Sequence, residues 1–428
     1  MKKISTESYK GVRDFYPEDM SVQNFIFKKM RETAESFGYS EYSASILEPT
    51  ELYQAKSGEE LVSEQTYSFK DRGDRDVTLR PEMTPTLARM VAGKKRELSF
   101  PLRWYSIPNI FRYEQPQRGR LREHWQLNVD IFGVESNEAE KEMLSLAHSL
   151  MKNFGAKESD FVIKINDRRI MNALYEKYKL TEEEVVQVSK ALDKKSKNPI
   201  EVFKATLEGI FKINKHVEEF LETIESNQKL IKTLGEDNPL VKNLMDLIDG
   251  LASVGVTNVL FDSTIVRGLD YYTGIVFEIF DTDPKNKRAL FGGGRYDDLL
   301  SIFGNEKVSA VGFGAGDVTI KDFLETHGLL PAYTSTTNLY LGVIDDAFPT
   351  AQTLADSLRA IGVNVAVDYT GKNVGDQIKK ATNDHIPFLA IIGKKEIDSK
   401  KLKIKNLATR EELEFGFDEI EKIAKMLV

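Results

Sequence analysis

Residues Arg103–Gly133 read RWYSIPNIFRYEQPQRGRLREHWQLNVDIFG, and this stretch decides the fold. In its second half, apolar side chains alternate with polar ones, at Trp125, Leu127, Val129 and Ile131. A period of two is typical of a β-strand with one buried face. The first half, from Arg103 to Phe111, is rich in aromatic and β-branched residues, which favour strands. The stretch therefore predicts two strands joined by the long charged loop of residues 113–123.

The segments on either side extend this pattern. Apolar residues recur at helical spacing from Ser21 to Phe37, and a strand-like Ile46–Pro49 follows. The pattern is helical from Asp167 to Leu251, and strand-like segments return at 259–262 and 273–281. Residues 308–324, VSAVGFGAGDVTIKDFL, predict a strand, a glycine turn and a helix. The sequence therefore predicts an antiparallel sheet that is interrupted by a helical insertion.

Beyond Pro331, strand-like and helix-like segments alternate: NLYLGVI, AFPTAQTLADSLRAIG, VNVAVD, GDQIKKATND and IPFLAIIG. Alternation of this kind indicates βαβ units and a parallel sheet. We therefore expect three regions. They are a discontinuous α+β domain (1–166 and 252–330), a helical insertion (167–251) and a C-terminal α/β domain (331–428).

Composition excludes several classes of protein. The 428 residues include no Cys, which excludes disulfides, thiolate zinc sites and a cysteine nucleophile. The five His show no i, i+4 pair, so no metal site is predicted. The formal charge of −8 means that any polyanion site is local. The chain lacks the roughly 18 uninterrupted apolar residues of a membrane span and an apolar leader segment, so we expect a cytoplasmic protein.

Four segments carry residues suited to chemistry. The loop after Ile110 places Arg112, Arg118, Arg120 and Arg122 within eleven residues, which suits either a phosphate clamp or a solvated hairpin tip. The segments VRGLDYYTGIVFE (266–278) and FGGGRYDDLL (291–300) combine glycines, arginines and tyrosines. They suit either a small polar ligand or packed turns. In DVTLRPEMTPTLARM (76–90), a carboxylate and a hydroxyl that can hold an amino group follow a strand.

Taken together, these motifs resemble those of class II histidyl-tRNA synthetases from end to end. KGVRDFYPEDM resembles the opening segment of that family, and LEPTELY resembles its motif 1, with Pro49 at a dimer interface. TLRPEMT resembles a substrate segment, and FRYEQPQRGRLREHWQ resembles motif 2. VRGLDYYTG and GGGRYDDL resemble two signatures specific for histidine, of which VRGLDYY discriminates best.

The resemblance implies a fold and a reaction. The fold is an α+β catalytic domain with an antiparallel sheet of the class II type, a helical insertion and an anticodon-binding α/β domain. The reaction joins histidine and ATP, with Mg2+, into histidyl-adenylate and transfers the histidyl group to histidine tRNA. The implied partners are histidine, ATP, histidine tRNA and a second copy of the chain. No membrane and no resident metal are implied.

The resemblance also assigns roles to residues. Arg267, Arg112 and Gln126 are the implied catalytic residues. The implied histidine-binding residues are Glu82, Thr84, Arg120, Gln126, Asp130, Tyr271 and Tyr272. The implied ATP-binding residues are Arg112, Arg120, Glu114, Arg267 and Gly316. The implied tRNA-binding residues are Gln117, Arg118, Lys400 and Lys403.

Two motifs depart from the family pattern. Motif 3 normally ends in an apolar residue, a glutamate and an arginine that grips the γ-phosphate, whereas this chain has Asp317, Val318 and Thr319 there. The alternative sources of positive charge that we consider are Arg103, Arg295 and Lys321. Motif 2 has Gln115 in place of an arginine, and it leaves open whether His124 or Trp125 stacks on adenine.

Residues 372–410 hold ten basic residues against four acidic ones, which suits either an RNA contact or a solvated lysine face. A rival hypothesis is that the chain is a non-catalytic paralogue that binds histidine and regulates ATP phosphoribosyltransferase. The altered motif 3 favours this rival, and the C-terminal domain argues against it. A tRNA-sensing module is a third possibility, although no residues remain for the domain to which such modules are usually fused.

Overall fold

A computed structural model describes residues 4–55, 65–193, 199–211, 213–224, 226–265, 271–304 and 307–427. The chain forms two compact units. The first comprises the described residues up to Tyr16 together with Gln23–Leu330, and the second comprises Pro17–Val22 and the described residues from Pro331 onwards. No helix of the described residues is long and apolar enough to cross a membrane.

The first unit is built on a mixed sheet with a smaller sheet beside it. The large sheet has the order β1-β5-β7-β12-β11-β10-β8-β9, and β6 also pairs with β7. Its central pairs are antiparallel, and the pairs at its two edges, β1 with β5 and β8 with β9, are parallel. The small sheet has the order β2-β4-β3. The strands are β1 Ser40–Glu41, β2 Leu47–Pro49, β3 Tyr67–Lys70, β4 Asp76–Leu79, β5 Leu102–Ser106, β6 Asn109–Phe111, β7 Glu123–Phe132, β8 Phe161–Asp167, β9 Val259–Phe261, β10 Ile275–Asp281, β11 Ala289–Arg295 and β12 Ala310–Gly316.

The sequence prediction of two strands around a charged loop is confirmed by β5 and β7, and the short β6 adds a third strand. The prediction for the glycine clusters was wrong. Gly292–Gly294 lie inside β11, and Gly312 and Gly314 lie inside β12, so both clusters are strand interiors rather than turns. Glycine is disfavoured in strands unless another group needs its space, which points to these positions as functional.

Helices cover the sheet and connect its strands. α3 begins at Thr84 and buries Leu87, Ala88 and Val91 in the same core cluster as Phe132. Between β8 and β9 the described chain is helical, as expected. The helices are α1 Pro17–Ser36, α2 Thr50–Gln54, α3 Thr84–Lys94, α4 Glu138–Asn153, α5 Arg168–Lys177, α6 Glu182–Asp193, α7 Ile200–Ile210, α8 Asn214–Ile224, α9 Asn227–Leu234, α10 Pro239–Ser253 and α11 Asp317–Thr326.

The second unit has a five-stranded sheet in the order β14-β13-β15-β16-β17. β13 pairs in parallel with β14 and β15, which confirms the predicted parallel sheet. The antiparallel β16 and β17 were not predicted. The elements are β13 Leu339–Val343, α12 Phe348–Arg359, β14 Val365–Val367, α13 Val374–Asn383, β15 Phe388–Ile392, α14 Lys394–Ser399, β16 Lys401–Asn406, β17 Glu412–Gly416 and α15 Ile420–Leu427.

Candidate active site

The side chains of β7 that face β12 define the floor of the site. Gly312 pairs with Asp130, and Gly314 pairs with Asn128. A Cβ atom at Gly312 would collide with the carboxylate of Asp130, and one at Gly314 would collide with the amide of Gln126. The two glycines of β12 therefore give Asp130 and Gln126 room to lie across the sheet. This close approach explains why a strand interior carries glycine at these positions.

Asp130 is a buried carboxylate with one protein partner among the described residues. Its side chain is 3% exposed, and the Tyr296 hydroxyl donates to its Oδ1 at 2.5 Å. Burial raises the pKa of Asp130 to about 7, and the hydrogen bond from Tyr296 only partly opposes the shift. A carboxylate in this state gains from a cationic ligand, because the ligand would supply the positive charge that the protein withholds.

A second buried carboxylate, Glu82, lies next to the tyrosine pair. The Tyr271 hydroxyl donates to Glu82 Oε2 at 3.1 Å, and the rings of Tyr271 and Tyr272 are 5.0 Å apart. Tyr271 also packs edge-on against Tyr296, with 5.7 Å between ring centroids. Burial and the charge of Glu82 raise the pKa of Tyr271 well above its usual value, so the phenol stays protonated and can donate. Thr84 contacts the same hydroxyl from the first turn of α3.

These contacts bring together most of the residues that the sequence assigned to histidine. Glu82, Thr84 and Tyr271 meet through hydrogen bonds, and Tyr296 links this group to Asp130. The sequence analysis did not single out Tyr296. Its position two residues after the last glycine of β11 was the available signal, because the residue that immediately follows this strand lies next to the floor of the site.

The charged loop between β6 and β7 contributes the cations. Arg112 Nε donates to the carbonyl of Pro81 at 2.8 Å, which fixes it beside the segment that carries Glu82. Glu114 is buried and pairs with Arg120 Nε at 2.8 Å. Arg112 has no carboxylate within ion-pair distance in the described part of the chain. Its charge is therefore available to an anion.

Arg122, by contrast, holds the protein together. Its guanidinium donates to the Glu114 carbonyl at 3.0 Å and to the Tyr9 hydroxyl at 3.1 Å, and it stacks over the Tyr113 ring at 4.1 Å. Its side chain also fills the space that a Cβ at Gly11 would need. The arginine cluster that suggested a phosphate clamp therefore contains one structural member, and Arg122 ties the N-terminal segment to the loop.

His124 and Trp125 point to opposite faces of β7. Trp125 packs edge-on against Phe15, with 5.4 Å between centroids, and its backbone N–H donates to Asp317. His124 lies on the same face as Gln126, with its ring next to Gly316. Burial and the charge of Arg112 lower the pKa of His124 to about 3, so its imidazole is neutral near pH 7. Of these two side chains, His124 is the one that lies on the face of β7 that carries Gln126.

Asp317 and Thr319, which depart from the motif 3 pattern, have defined structural roles. Asp317 is 1% exposed at the first position of α11, and it accepts hydrogen bonds from Arg13 Nη2 at 2.8 Å, Gln23 Nε2 at 3.0 Å and the Trp125 N–H at 2.9 Å. Thr319 Oγ1 donates to the carbonyls of Leu290 and Gly316. Gly316 precedes α11 as its N-cap residue.

The three residues considered as substitutes for the motif 3 arginine are engaged elsewhere. Arg295 is buried and bound bidentately by Glu140 at 2.6 and 2.5 Å. Arg103 is bound bidentately by Glu142 at 2.7 Å on both nitrogens. Lys321 pairs with Glu325 one helical turn away at 3.5 Å. Arg267 and the other residues of 266–270 lie outside the described residues.

Sequence reasoning missed a cation in the connection between β10 and β11. Arg288 Nη2 donates to Gln117 Oε1 at 2.9 Å, and Arg118 donates to Asn286 Oδ1 at 3.0 and 3.2 Å. The tip of the charged loop therefore lies against this connection. The signal in the sequence was the basic run KNKR at 285–288, and its meaning depends on a loop about 170 residues earlier.

The remaining predicted contacts, Lys400 and Lys403, belong to the second unit. Both are exposed, and neither has a carboxylate partner in the described part of that unit. Their neighbours Lys401 and Lys405 pair with Glu414 at 2.7 Å and Glu412 at 3.1 Å across β17. The basic segment 372–410 is therefore partly neutralised by carboxylates that lie just beyond it.

Comparisons with known proteins identify the family. A histidyl-tRNA synthetase family model matches residues 11–317, and an anticodon-binding domain model matches residues 337–427. A Leptospira biflexa protein named histidine–tRNA ligase is 42% identical over 434 positions, which cover 100% of this chain and 99% of that protein.

Solved structures show the same fold. Histidyl-tRNA synthetase from Nostoc sp. PCC 7120 superposes with a TM-score of 0.83 at 23% identity, covering 99% of this chain and 100% of the other. A Bacillus halodurans protein titled ATP phosphoribosyltransferase regulatory subunit/histidyl-tRNA synthetase superposes with a TM-score of 0.75 at 25% identity, covering 92% and 100%. On the family model and the full-length sequence match, the chain belongs to the histidyl-tRNA synthetase family.

Proposed function

We propose that the chain is a histidine–tRNA ligase. It activates histidine with ATP to histidyl-adenylate and transfers the histidyl group to the 3′ end of histidine tRNA. The observation that carries the proposal is the pair of buried carboxylates, Glu82 and Asp130, which share a tyrosine cluster beside Arg112, a cation that no carboxylate of the described residues pairs with. The α-ammonium group of an amino acid fits the carboxylates, and a phosphate fits the arginine.

In the first step a carboxylate oxygen of histidine attacks the α-phosphorus of ATP, and pyrophosphate leaves with the electron pair of the broken P–O bond. The protein mainly has to hold the two substrates in line and to stabilise negative charge. We assign the α-phosphate to Arg112 and the amino acid to Glu82, Thr84, Asp130 and Tyr271. The further assignments are Tyr272, Gln126 and Arg120 to histidine, and Arg120, Glu114, Gly316 and Arg267 to ATP.

In the second step a hydroxyl of the terminal adenosine of the tRNA attacks the carbonyl carbon of the adenylate, and AMP leaves. We assign Gln117 and Arg118 to the acceptor end and Lys400 and Lys403 to the anticodon region. The match of an anticodon-binding domain model to residues 337–427 supports a role with tRNA. It also disfavours the rival hypothesis of a regulatory subunit, which has no need of such a domain.

Mg2+ is expected to accompany ATP. Within the described residues, no group of three or more His, Cys, Asp or Glu side chains is arranged to hold a metal ion. We propose that Mg2+ is coordinated by the phosphates and by carboxylates, where it neutralises part of the phosphate charge.

The proposed domains are a catalytic domain of residues 1–166 and 252–330, an insertion of residues 167–251 and an anticodon-binding domain of residues 331–428. The strands of the large sheet support this division, because they flank the helices α5–α10 in the sequence. We further propose that two copies associate through the motif 1 region around Pro49. Family membership supports a cytoplasmic location, where tRNA is charged.

The decisive experiment is exchange of labelled pyrophosphate into ATP, without tRNA, in the presence of histidine or each of the other amino acids. Exchange that depends on histidine alone is the expected result. Absence of exchange by a protein that still binds histidine would contradict the proposal and favour the regulatory paralogue. Charging of histidine tRNA by the same preparation then tests the second step.

A further inference from the structure

A cavity of about 320 Å³ lies where three distant segments of the first unit meet. The segments are the tip of the charged loop at 117–119, the connection between β10 and β11 at 285–290, and the first turns of α11 at 319–322. Four cations line the cavity, Arg118, Lys285, Lys287 and Arg288, against a single carboxylate, Asp322, among its described lining residues. Such an excess of positive charge in a protein of net charge −8 indicates a local anion site.

Of the two arginines that line this cavity, Arg288 is the one that the described residues engage less at its charged end. Its Nη2 donates to the neutral amide oxygen of Gln117 at 2.9 Å, and in the described part of the chain no carboxylate lies within 4.0 Å of it. Arg118 differs, because it bonds Asn286 and lies 4.0 Å from Asp322. The guanidinium of Arg288 therefore keeps donors for a ligand in a position that Gln117 fixes.

The cavity adjoins the residues assigned to ATP. Burial and the charge of Arg120 lower the pKa of Arg288, and the charge of Glu114 opposes the shift. Both of these residues belong to the charged loop, so Arg288 is within electrostatic reach of the nucleotide site. A Cβ built at Gly119 would lie 3.5 Å from the Thr319 methyl group and 3.8 Å from Arg288 Cδ, which shows how closely the three segments approach.

We propose that Arg288 binds the β- and γ-phosphates of ATP in this cavity and stabilises the pyrophosphate that leaves when the adenylate forms. The inference rests on the proposed function. It assigns a specific cation to the β- and γ-phosphates, which become the departing pyrophosphate. Cleavage of the bond between the α-phosphorus and the bridging oxygen moves an electron pair onto pyrophosphate. A guanidinium already in place offsets that charge without reorganising.

A role for Arg288 is also consistent with the state of Arg295 and Arg103, which are not free to bind a phosphate. Arg295 and Arg103 are each bound bidentately by a glutamate, and withdrawing either would leave that carboxylate unpaired in a partly or fully buried position. Arg288, by contrast, bonds the neutral amide of Gln117, so its binding to a phosphate would leave no carboxylate of the described residues unpaired. The short side chain of Thr319 leaves the cavity open, and its hydroxyl is satisfied by backbone carbonyls. The β- and γ-phosphates therefore contact Arg288, which lies in the connection between β10 and β11.

The test compares ligands that differ only in the β- and γ-phosphates. The affinities of ATP and AMP are measured by calorimetry for the wild-type protein, Arg288→Ala and Arg288→Lys, and the KM for ATP is measured by histidine-dependent pyrophosphate exchange. Arg288→Ala should weaken ATP binding and raise the KM for ATP at least about tenfold and leave AMP binding unchanged, with Arg288→Lys in between. Arg75→Ala, which removes an exposed arginine paired with Asp71, is the matched control.

A second variant tests the position of the charge rather than the identity of the residue. Thr319 lines the same cavity, so an arginine introduced there can reach the space that Arg288 vacates. Adding Thr319→Arg to Arg288→Ala should restore part of the lost ATP affinity. Thermal melting of each variant establishes that it is folded before its affinity is compared.

Three outcomes would decide against the inference or separate it from the proposed function. Equal ATP affinity in the wild-type protein and Arg288→Ala would overturn it. Loss of tRNA charging with an unchanged KM for ATP would also overturn it, because the cavity would then serve a phosphate of the tRNA. Absence of exchange with every amino acid would overturn the proposed function, whereas a selective loss of ATP over AMP binding in Arg288→Ala would still support the role of Arg288.

Discussion

Asp130 and Asp317 are both buried aspartates of the first unit, yet the protein treats them differently. Asp317 receives three hydrogen bonds, from Arg13, Gln23 and the backbone of Trp125. From the described residues Asp130 receives one, from the hydroxyl of Tyr296, and its pKa is raised to about 7. A carboxylate that the protein satisfies stabilises the fold, whereas one that it leaves short of partners is held ready for a ligand.

The largest effect that we expect is on stability, from Asp317→Ala. The change removes the acceptor of three buried donors and leaves the Arg13 guanidinium without its carboxylate, which should lower the free energy of unfolding by about 3 kcal/mol. Urea unfolding of the purified variants measures the loss. Asp71→Ala, which removes a carboxylate from an exposed turn, is the control, and a similar small loss in both variants would contradict the structural role.

Asp130→Asn should reduce ligand binding rather than stability. The amide keeps the shape of the side chain and can accept from Tyr296, but it withholds the negative charge from histidine, so histidine affinity should fall on the order of a hundredfold. Calorimetric titration at pH 8, where Asp130 is ionised, measures the loss. Asp317→Asn is the matched control, because it alters an equally buried carboxylate. If both asparagine variants lost affinity equally, the distinction between the two aspartates would fail.

The pH dependence of stability separates the two aspartates further. The pKa of Asp130 is about 7 in the folded protein and near 3.8 when unfolded, so between these values the folded state binds the extra proton. The contribution of Asp130 to stability is therefore largest at low pH and declines as the pH rises towards 7, by up to about 1.4 kcal/mol per pH unit. Asp130→Asn should remove this decline and be the more stable protein at pH 8.

The measurement is the difference in melting temperature between wild type and Asp130→Asn from pH 5 to pH 8. A difference is needed because other groups titrate in the same range. The pKa of His124 is lowered to about 3, so its contribution is lost as the pH falls below 6.5, which is the opposite sign. Since His124 is present in both proteins, its contribution cancels. A difference that does not change with pH would contradict the raised pKa of Asp130.

Local patterns predicted the regular elements of this fold well. The period of two around Val129 marked β7, and the alternation after Pro331 marked β13 to β15. The glycines of β11 and β12 were misread because glycine locally favours turns, and the reason for them at 312 and 314 is the space taken by Asp130 and Gln126 from another strand. Information of that kind is absent from a local window of sequence.

Within the site, residue types were predictable but partners were not. The resemblance named Glu82, Asp130 and Tyr271, which the structure brings close to one another through hydrogen bonds and Tyr296. It did not distinguish arginines that carboxylates already hold, such as Arg295, from Arg288, which lies in a cavity formed by three distant segments. Tertiary contacts decide whether an arginine is already paired with a carboxylate or remains available to a ligand.

The smallest effect that we expect concerns lysines on the surface of the second unit. There too, some charged groups have ion-pair partners among the described residues and others do not. β16 begins with KLKIK at 401–405, and Lys401 and Lys405 are paired with glutamates of β17. Within the described residues Lys400 and Lys403 have no carboxylate within 4.0 Å, although Lys403 lies opposite Glu414 in the register of the two strands. An unpaired lysine can give its full charge to a phosphate, and a paired one must first give up its glutamate. The double change of Lys400 and Lys403 to Ala should therefore raise the KM for tRNA roughly threefold to tenfold, with less salt dependence.

The double change of Lys401 and Lys405 to Ala is the matched control, because it removes the same charge from the same short stretch of the chain, residues 400–405. It should raise the KM for tRNA less, and both double variants should retain the wild-type rate of pyrophosphate exchange, since adenylate formation needs no tRNA. Equal effects of the two pairs on the KM for tRNA would show that ion pairs on an exposed strand do not withhold charge from RNA. The rule drawn from Asp130 and Asp317 would then apply to buried groups only, where desolvation makes an unsatisfied charge costly.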